Sequence, residues 1–184
     1  VDIPEDPDGV IRRNLLIADP SQACPADYSL SLQLALKYLE VGGIRAEFTP
    51  NHELKLRNIV FKRLQNHFGG YRAADANGHQ IMLNYRSSKI AQQVSITDVL
   101  TNQVKPDLVK DKIVLIGSTA KSLKDVLKTP YGSGKLDNSG DMTGVEIHAQ
   151  SVSQILSVVL NRQPLFWSLP EWGEVLLIGG CALI

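Results

Sequence analysis

The chain has 184 residues, of which 43% are apolar and 21% charged, with 19 Lys+Arg against 19 Asp+Glu. That is enough apolar sequence for one ordinary domain with a buried core, and it carries no signature of disorder. A neutral chain lacks the cationic surplus that phosphate backbones demand, so no nucleic-acid partner is expected.

Cys24 and Cys181 are too few for a disulfide framework and lack zinc-site spacing, so no metal or cofactor is expected. The start, Val1-Asp2-Ile3-Pro4, has neither Met nor the charged-then-apolar plan of a signal peptide. The sequence reads as a fragment cut at both ends.

In chain order, Asp6-Pro7-Asp8-Gly9 is a turn, and the apolar run that follows predicts a buried strand over 12–18, stopped by Asp19-Pro20. Residues 28–41 are rich in helix formers, with Asp27 as the expected N-cap and Gly42-Gly43 as the stop. Their spacing turns Tyr28, Leu32, Ala35, Leu36 and Leu39 inward. Over 46–85 short apolar segments are broken by turn residues, which predicts a small antiparallel excursion. Ala76-Asn77-Gly78-His79 is its expected hairpin turn and 80–85 the strand after it.

Ser95 is placed to cap a short helix over 96–100. Lys112-Ile113-Val114-Leu115-Ile116-Gly117 is a β-branched run of the kind buried on both faces of a parallel sheet. A polar, Gly-rich loop fills 128–142. Thr143-Gly144-Val145-Glu146 is a capping box that opens a helix to about Leu160, apolar at 145, 148, 149, 152, 155, 156 and 159. Alternating strands and helices predict an α/β fold with a mostly parallel sheet and flanking helices.

From Val175 to Ile184 every residue is apolar or Gly, ten residues where a membrane span needs about twenty. Trp167 and Trp172 stand where an aromatic belt would sit, and Ser168-Leu169-Pro170-Glu171 is a capping box with Pro in the first turn. The expectation is a sensory unit over 1–166 and the start of a transmembrane helix over 168–184.

Catalytic motifs are thin. Ser118-Thr119-Ala120-Lys121 matches S-x-x-K of acyl-transfer enzymes, in which the Lys activates the Ser. Its companion motifs are missing, since Asp137-Asn138-Ser139 and Lys128-Thr129-Pro130 both depart from them, and a turn after a buried strand explains the residues better. His148 falls on the apolar stripe of its helix and reads as a core histidine. Asp6 and Asp8 lack the Gly and distant Glu of a calcium loop, and Arg12-Arg13 reads as a solvated or salt-bridged pair. If 12–18 and 112–117 are parallel neighbours, their carboxyl ends place Asp19, Ser118 and Thr119 on one rim, with Asp125 and Thr129 nearby. These five residues are the expected ligand-binding set.

Several segments in order resemble the CHASE type-two family of extracellular sensory domains. They are Asp6-x-Asp-Gly-Val-Ile-Arg-Arg, Tyr28-Ser-Leu-Ser-Leu-Gln-Leu-Ala, Ile81-Met-Leu-Asn-Tyr-Arg and Ile96-Thr-Asp-Val-Leu. The most specific are Asp111-Lys-Ile-Val-Leu-Ile-Gly-Ser-Thr-Ala, with Asp125 and Thr129-Pro130, and Gly144-Val-Glu-Ile-His-Ala. The resemblance implies a non-enzymatic sensor outside the plasma membrane, here its C-terminal half, leading through transmembrane helices to a cytoplasmic adenylate or guanylate cyclase, histidine kinase or Ser/Thr kinase. It carries no ligand and no binding residues with it. A small-molecule or peptide stimulus, the membrane and a second copy in a homodimer are the expected partners. A dimerisation or protein-partner module without a small ligand is the alternative, and a Ser-dependent hydrolase a remote one.

Overall fold

In the computed structural model, residues 3–19, 27–87, 89–120, 125–132 and 140–182 are described. Strand β1, Arg13–Ile17, follows a tight turn in which Gly9 donates to the Asp6 carbonyl at 2.8 Å. It pairs antiparallel with β5, His79–Met82, in the register Arg13 opposite Met82 and Leu15 opposite Gln80, with a bulge between Leu15 and Ile17. Strands β2 (Ala46–Phe48), β3 (Leu54–Leu56) and β4 (Ile59–Phe61) form an antiparallel meander, the excursion that the broken apolar pattern predicted. Two short strands, β6 (Val126–Leu127) and β7 (Met142–Thr143), form a third antiparallel pair.

Helix α1, Leu30–Val41, is capped by Ser29, whose Oγ accepts the Leu32 N–H at 3.2 Å. Asp27, the expected cap, is taken up elsewhere: its carbonyl accepts the Ala18 N–H at 2.7 Å, which carries the chain past β1 before the helix begins. Leu32, Ala35 and Leu39 are buried and Tyr28 and Leu36 pack beside them, the inward set expected. Helix α2, Ile96–Leu100, has the reciprocal Ser95–Asp98 box at its start. Helix α3, Gly144–Asn161, opens on Thr143 and Glu146 and packs along α1. Its buried side is turned from the predicted stripe: Val152, Ile155 and Val159 are buried as expected, Val145, His148, Ala149 and Leu156 are half-buried, and Ile147, Gln150, Ser151, Gln154, Ser157 and Val158 join the interior. The two glutamines sit inside because they bind backbone, as described below, and the Ser157 hydroxyl accepts from Arg86 Nη1.

The main core joins Leu16, Leu32, Leu39, Leu54, Leu56, Phe61, Ile81, Ile155 and Val158. A smaller cluster of Ile11, Leu83, Met142 and Ile147 lies under Tyr85 and Tyr131, whose rings meet edge to face with centroids 6.0 Å apart.

The predicted mostly parallel sheet is not what forms. The pairs β1–β5, β2–β3, β3–β4 and β6–β7 are all antiparallel, the bridge between Val10 and Lys128 is an isolated parallel one, and 112–117 belongs to no strand. Pairing is decided by segments distant in sequence: β1 takes β5 along one edge, and its other edge is engaged at its ends, where Ser29 donates to the Leu16 carbonyl at 2.9 Å and Ile11, just before the strand, donates to the Lys128 carbonyl at 2.9 Å. The expected hairpin at 76–79 is also replaced: Gly78 takes the left-handed φ of +74° that Asn-Gly signals, but the strand it launches pairs with the distant β1.

Helix α4, Glu171–Ala182, starts where the Pro170 carbonyl accepts Gly173 and Glu174 N–H groups, two residues later than a cap at Ser168 would place it. Its 12 residues reach roughly 18 Å. Among the described residues no helix is long and apolar enough to cross a membrane.

Candidate functional site

Four of the five residues singled out from sequence gather around the start of α3. The Asp125 carbonyl accepts the Gly144 N–H at 3.2 Å. Its carboxylate lies so close that a Cβ on Gly144 would come within 2.8 Å of Oδ1. Gly117 approaches the next residue, Val145, equally tightly. Ser118 and Thr119 follow it, both exposed, and the Ser118 Oγ accepts the Ala120 N–H at 3.2 Å. Thr129 is wholly buried, and its hydroxyl donates to the Gly140 carbonyl. It shapes the loop and presents no group to solvent.

Asp19 is elsewhere. Thr129 follows Lys128, which is bonded to Ile11 at the head of β1, whereas Asp19 lies past the strand's far end. Eight residues of extended chain separate the two ends, roughly 25 Å. There the Asp19 Oδ2 accepts the Gly78 N–H at 2.9 Å.

At the rim itself, Glu146 Oε2 accepts both the N–H and the hydroxyl of Thr143 at 2.8 Å, and Oε1 accepts from Gln93 at 2.7 Å. Desolvation pushes the Glu146 carboxyl up, but these bonds together outweigh it and hold the group below its ordinary value. With Asp125 exposed beside it, the rim offers one carboxylate and two hydroxyls to an incoming group. That arrangement can accept hydrogen bonds from a polar or cationic group. Lys121, the base that S-x-x-K would need, lies outside the described residues, as do Asp137, Asn138 and Ser139.

The Arg12-Arg13 and Asp6/Asp8 motifs turn out to be one structure. Asp6, 4% exposed, takes Arg13 Nε at 2.6 Å, Arg12 Nη1 at 2.9 Å and the Tyr71 hydroxyl at 2.6 Å. Arg13 also donates to the Asp75 and Glu5 carbonyls and to Gln80 Oε1. Arg12 forks onto Asp8, which holds the Asp8 carboxyl down at about 2. Burial and the Asp6 bond raise the Tyr71 phenol to about 12. Each of these four charged side chains has a partner of opposite charge, and the cluster ties residues 5–8 to the start of β1.

Sequence reading missed the contact that ties α3 to the sheet. The Gln154 Oε1 accepts the Asn84 N–H at 3.3 Å while its Nε2 donates to the Met82 carbonyl at 2.9 Å. One turn earlier, Gln150 accepts the Arg86 N–H at 3.3 Å and donates to the Ser87 carbonyl. Two glutamines four apart advance about 6 Å along a helix, close to the two-residue repeat of an extended chain, about 6.6 Å. Both glutamines fall on the helix face opposite the apolar stripe, so the stripe carried no signal of them. His148, on the same helix, joins Ser31 of α1 through Nδ1 at 3.0 Å.

The family model described as the CHASE2 domain matches residues 1–184, the whole chain. No curated protein and no solved structure gives a significant match.

Proposed function

The chain belongs to the CHASE2 domain family, extracellular sensory domains of signalling receptors and not catalysts, and on that premise we propose how it senses and relays. A small-molecule or peptide stimulus binds at the α3 rim, contacting Ser118, Thr119 and Asp125, with Thr129 shaping the loop behind them. Asp19, at the far end of β1, serves the Gly78 turn and is no part of that pocket.

The observation that carries this reading is the position of α3. Its first turn touches the rim at Gly117 and Asp125, its length is bound to α1 and to 82–87, and its end leads to α4. A stimulus that favours one arrangement of the rim therefore biases a helix already connected to the output side. In this reading α4, whose Trp172, Val175, Leu176, Leu177 and Ile178 are all exposed, begins the membrane segment, with Trp167 and Trp172 at the headgroups. The plasma membrane then separates the domain from a cytoplasmic cyclase, histidine kinase or Ser/Thr kinase.

The test is made in the full-length receptor with its cytoplasmic output as readout. Ser118→Ala and Asp125→Asn are expected to abolish the response to stimulus at unchanged receptor abundance, while Asp19→Asn retains it. An intact response in both rim variants would refute the rim.

A second reading, a homodimerisation module, has its own support in exposed apolar residues away from α4, among them Ile96, Leu100, Val114 and Ile116. The two are compatible, since a dimer can carry the stimulus pocket.

A further inference from the structure

His79 stands where β5 meets the meander. Of the four histidines, His52 and His67 are exposed and His148 is half-buried, whereas His79 is 1% exposed. Its Nε2 lies 2.6 Å from the Phe61 carbonyl of β4. A carbonyl only accepts, so Nε2 carries the proton and Nδ1 the bare lone pair of the neutral ring. Nδ1 is buried and has no hydrogen-bond partner among the described residues. Close by, the Leu64 N–H donates to the Gln80 carbonyl at 2.8 Å. Among the described residues these two bonds join β4 and residues 62–64 to β5, while β5 is held to β1 along its whole length.

We propose that protonation of His79 separates β4 and residues 62–64 from β5, which makes this junction an acid-sensitive switch. The added proton must go to Nδ1, where it creates a buried donor with no acceptor and a cation shut off from water. Burial holds the ring below its ordinary 6.5, outweighing the Phe61 bond and the pull of Glu53, and Arg63 adds to the effect. Glu53 is also engaged elsewhere, since its Oε2 accepts the Arg63 N–H at 2.9 Å. Once charged, the ring gains by reaching water. The ladder to β1 resists any movement of β5, whereas two bonds hold the Phe61 side, so relief comes by opening that side. Leu54, Leu56 and Phe61, packed in the main core, close the junction again when the proton leaves. No residue of the α3 rim takes part, so the proton is an input separate from a stimulus bound there.

The test is hydrogen exchange on the full 184-residue chain at pH 7.5 and 5.5, with each amide's protection taken relative to its intrinsic rate at that pH. Protection at the Leu64 amide is expected to fall about fivefold or more at pH 5.5. It should also stay below that of the Leu83 amide, which donates to the Arg12 carbonyl beside the β1–β5 ladder, and depend little on added urea. His79→Gln keeps a side-chain donor for Phe61 but cannot titrate, so its Leu64 protection should be the same at both pH values. No fall at Leu64, or the same fall in His79→Gln, would overturn the switch. So would a Leu64 amide that matches Leu83 in protection and in urea slope at pH 5.5, because exchange would then need global unfolding. If His79→Gln does not fold, the imidazole C–H resonance of His79 in the parent chain decides. Its titration midpoint is expected to coincide with that of Leu64 opening, and a different midpoint would overturn the assignment.

Discussion

Replacing Gln154 by Leu isolates the contact between α3 and the sheet. The substitution keeps an apolar body that can pack, one atom shorter, but strips both partners from the backbone at Met82 and Asn84. Each buried backbone group left without a partner costs about 1–3 kcal/mol. These bonds are part-buried, so the lower half of that range applies, giving about 2–4 kcal/mol for the pair. Gln150→Leu strands the Arg86 N–H and the Ser87 carbonyl in the same way and should cost a similar amount. The double variant should lose less than the sum, because both glutamines hold one segment and releasing it once relieves both. Urea unfolding gives the global loss, and hydrogen exchange at the Asn84 and Arg86 amides gives the local one. Protection at those two amides should collapse in the variants while amides in α1 keep theirs relative to global stability. A loss below about 0.5 kcal/mol with both amides still protected would show that the glutamines do not hold the strand, contrary to the magnitudes used here.

Three further outcomes follow from other parts of the fold. Gly78→Ala should destabilise by more than about 1 kcal/mol, since φ is +74° and the new Cβ would meet the Ile17 carbonyl oxygen at 2.7 Å; an unchanged melting curve would contradict this. Arg13→Leu should cost about 3–5 kcal/mol in urea unfolding, because it strips the closest cation from buried Asp6; a loss under 1 kcal/mol would mean Arg12 and Tyr71 suffice. Burial holds the His79 imidazole below its ordinary 6.5, helped by Arg63 and opposed by its Phe61 bond and by Glu53, so the unfolded chain binds that proton first. Stability from this group is therefore full above about pH 6.5 and is lost as pH falls, at up to about 1.4 kcal/mol per unit. His79→Gln should flatten that slope between pH 7.5 and 5.5 whatever it does at pH 7.5, and equal slopes would refute the assignment.

Local signals in the sequence translated well. Ser95 and Thr143 open the helices their spacing announced, Gly42 ends α1, and β1 falls within the predicted 12–18. The motif order from Asp6 to Ala149 pointed to the family that the whole chain matches. What failed was pairing, which is non-local. The apolar composition of 112–117 carries no record of its partner, and β1 pairs antiparallel with β5, a strand more than 60 residues away. The same holds for the rim. Asp19 was placed beside Ser118 only through that assumed parallel pair, and it parts from the others once the pair is gone. Asp125 and Thr129 stay near Ser118 for a different reason, the tight packing of Gly117, Gly140 and Gly144 around the start of α3. The buried glutamines were invisible to an apolar-stripe argument because their partners are backbone groups some 70 residues earlier.

The most direct test of the sensory account is a thermal-shift screen of small metabolites, peptides and ions on the domain, followed by the same hit on Ser118→Ala and Asp125→Asn. A ligand at about 100 times its Kd should stabilise by about 2.7 kcal/mol, a rise of several degrees. The account expects at least one such hit, with the rise lost in both rim variants and kept in Asp19→Asn. No hit across a broad library, or a hit whose shift survives both rim variants, would contradict it.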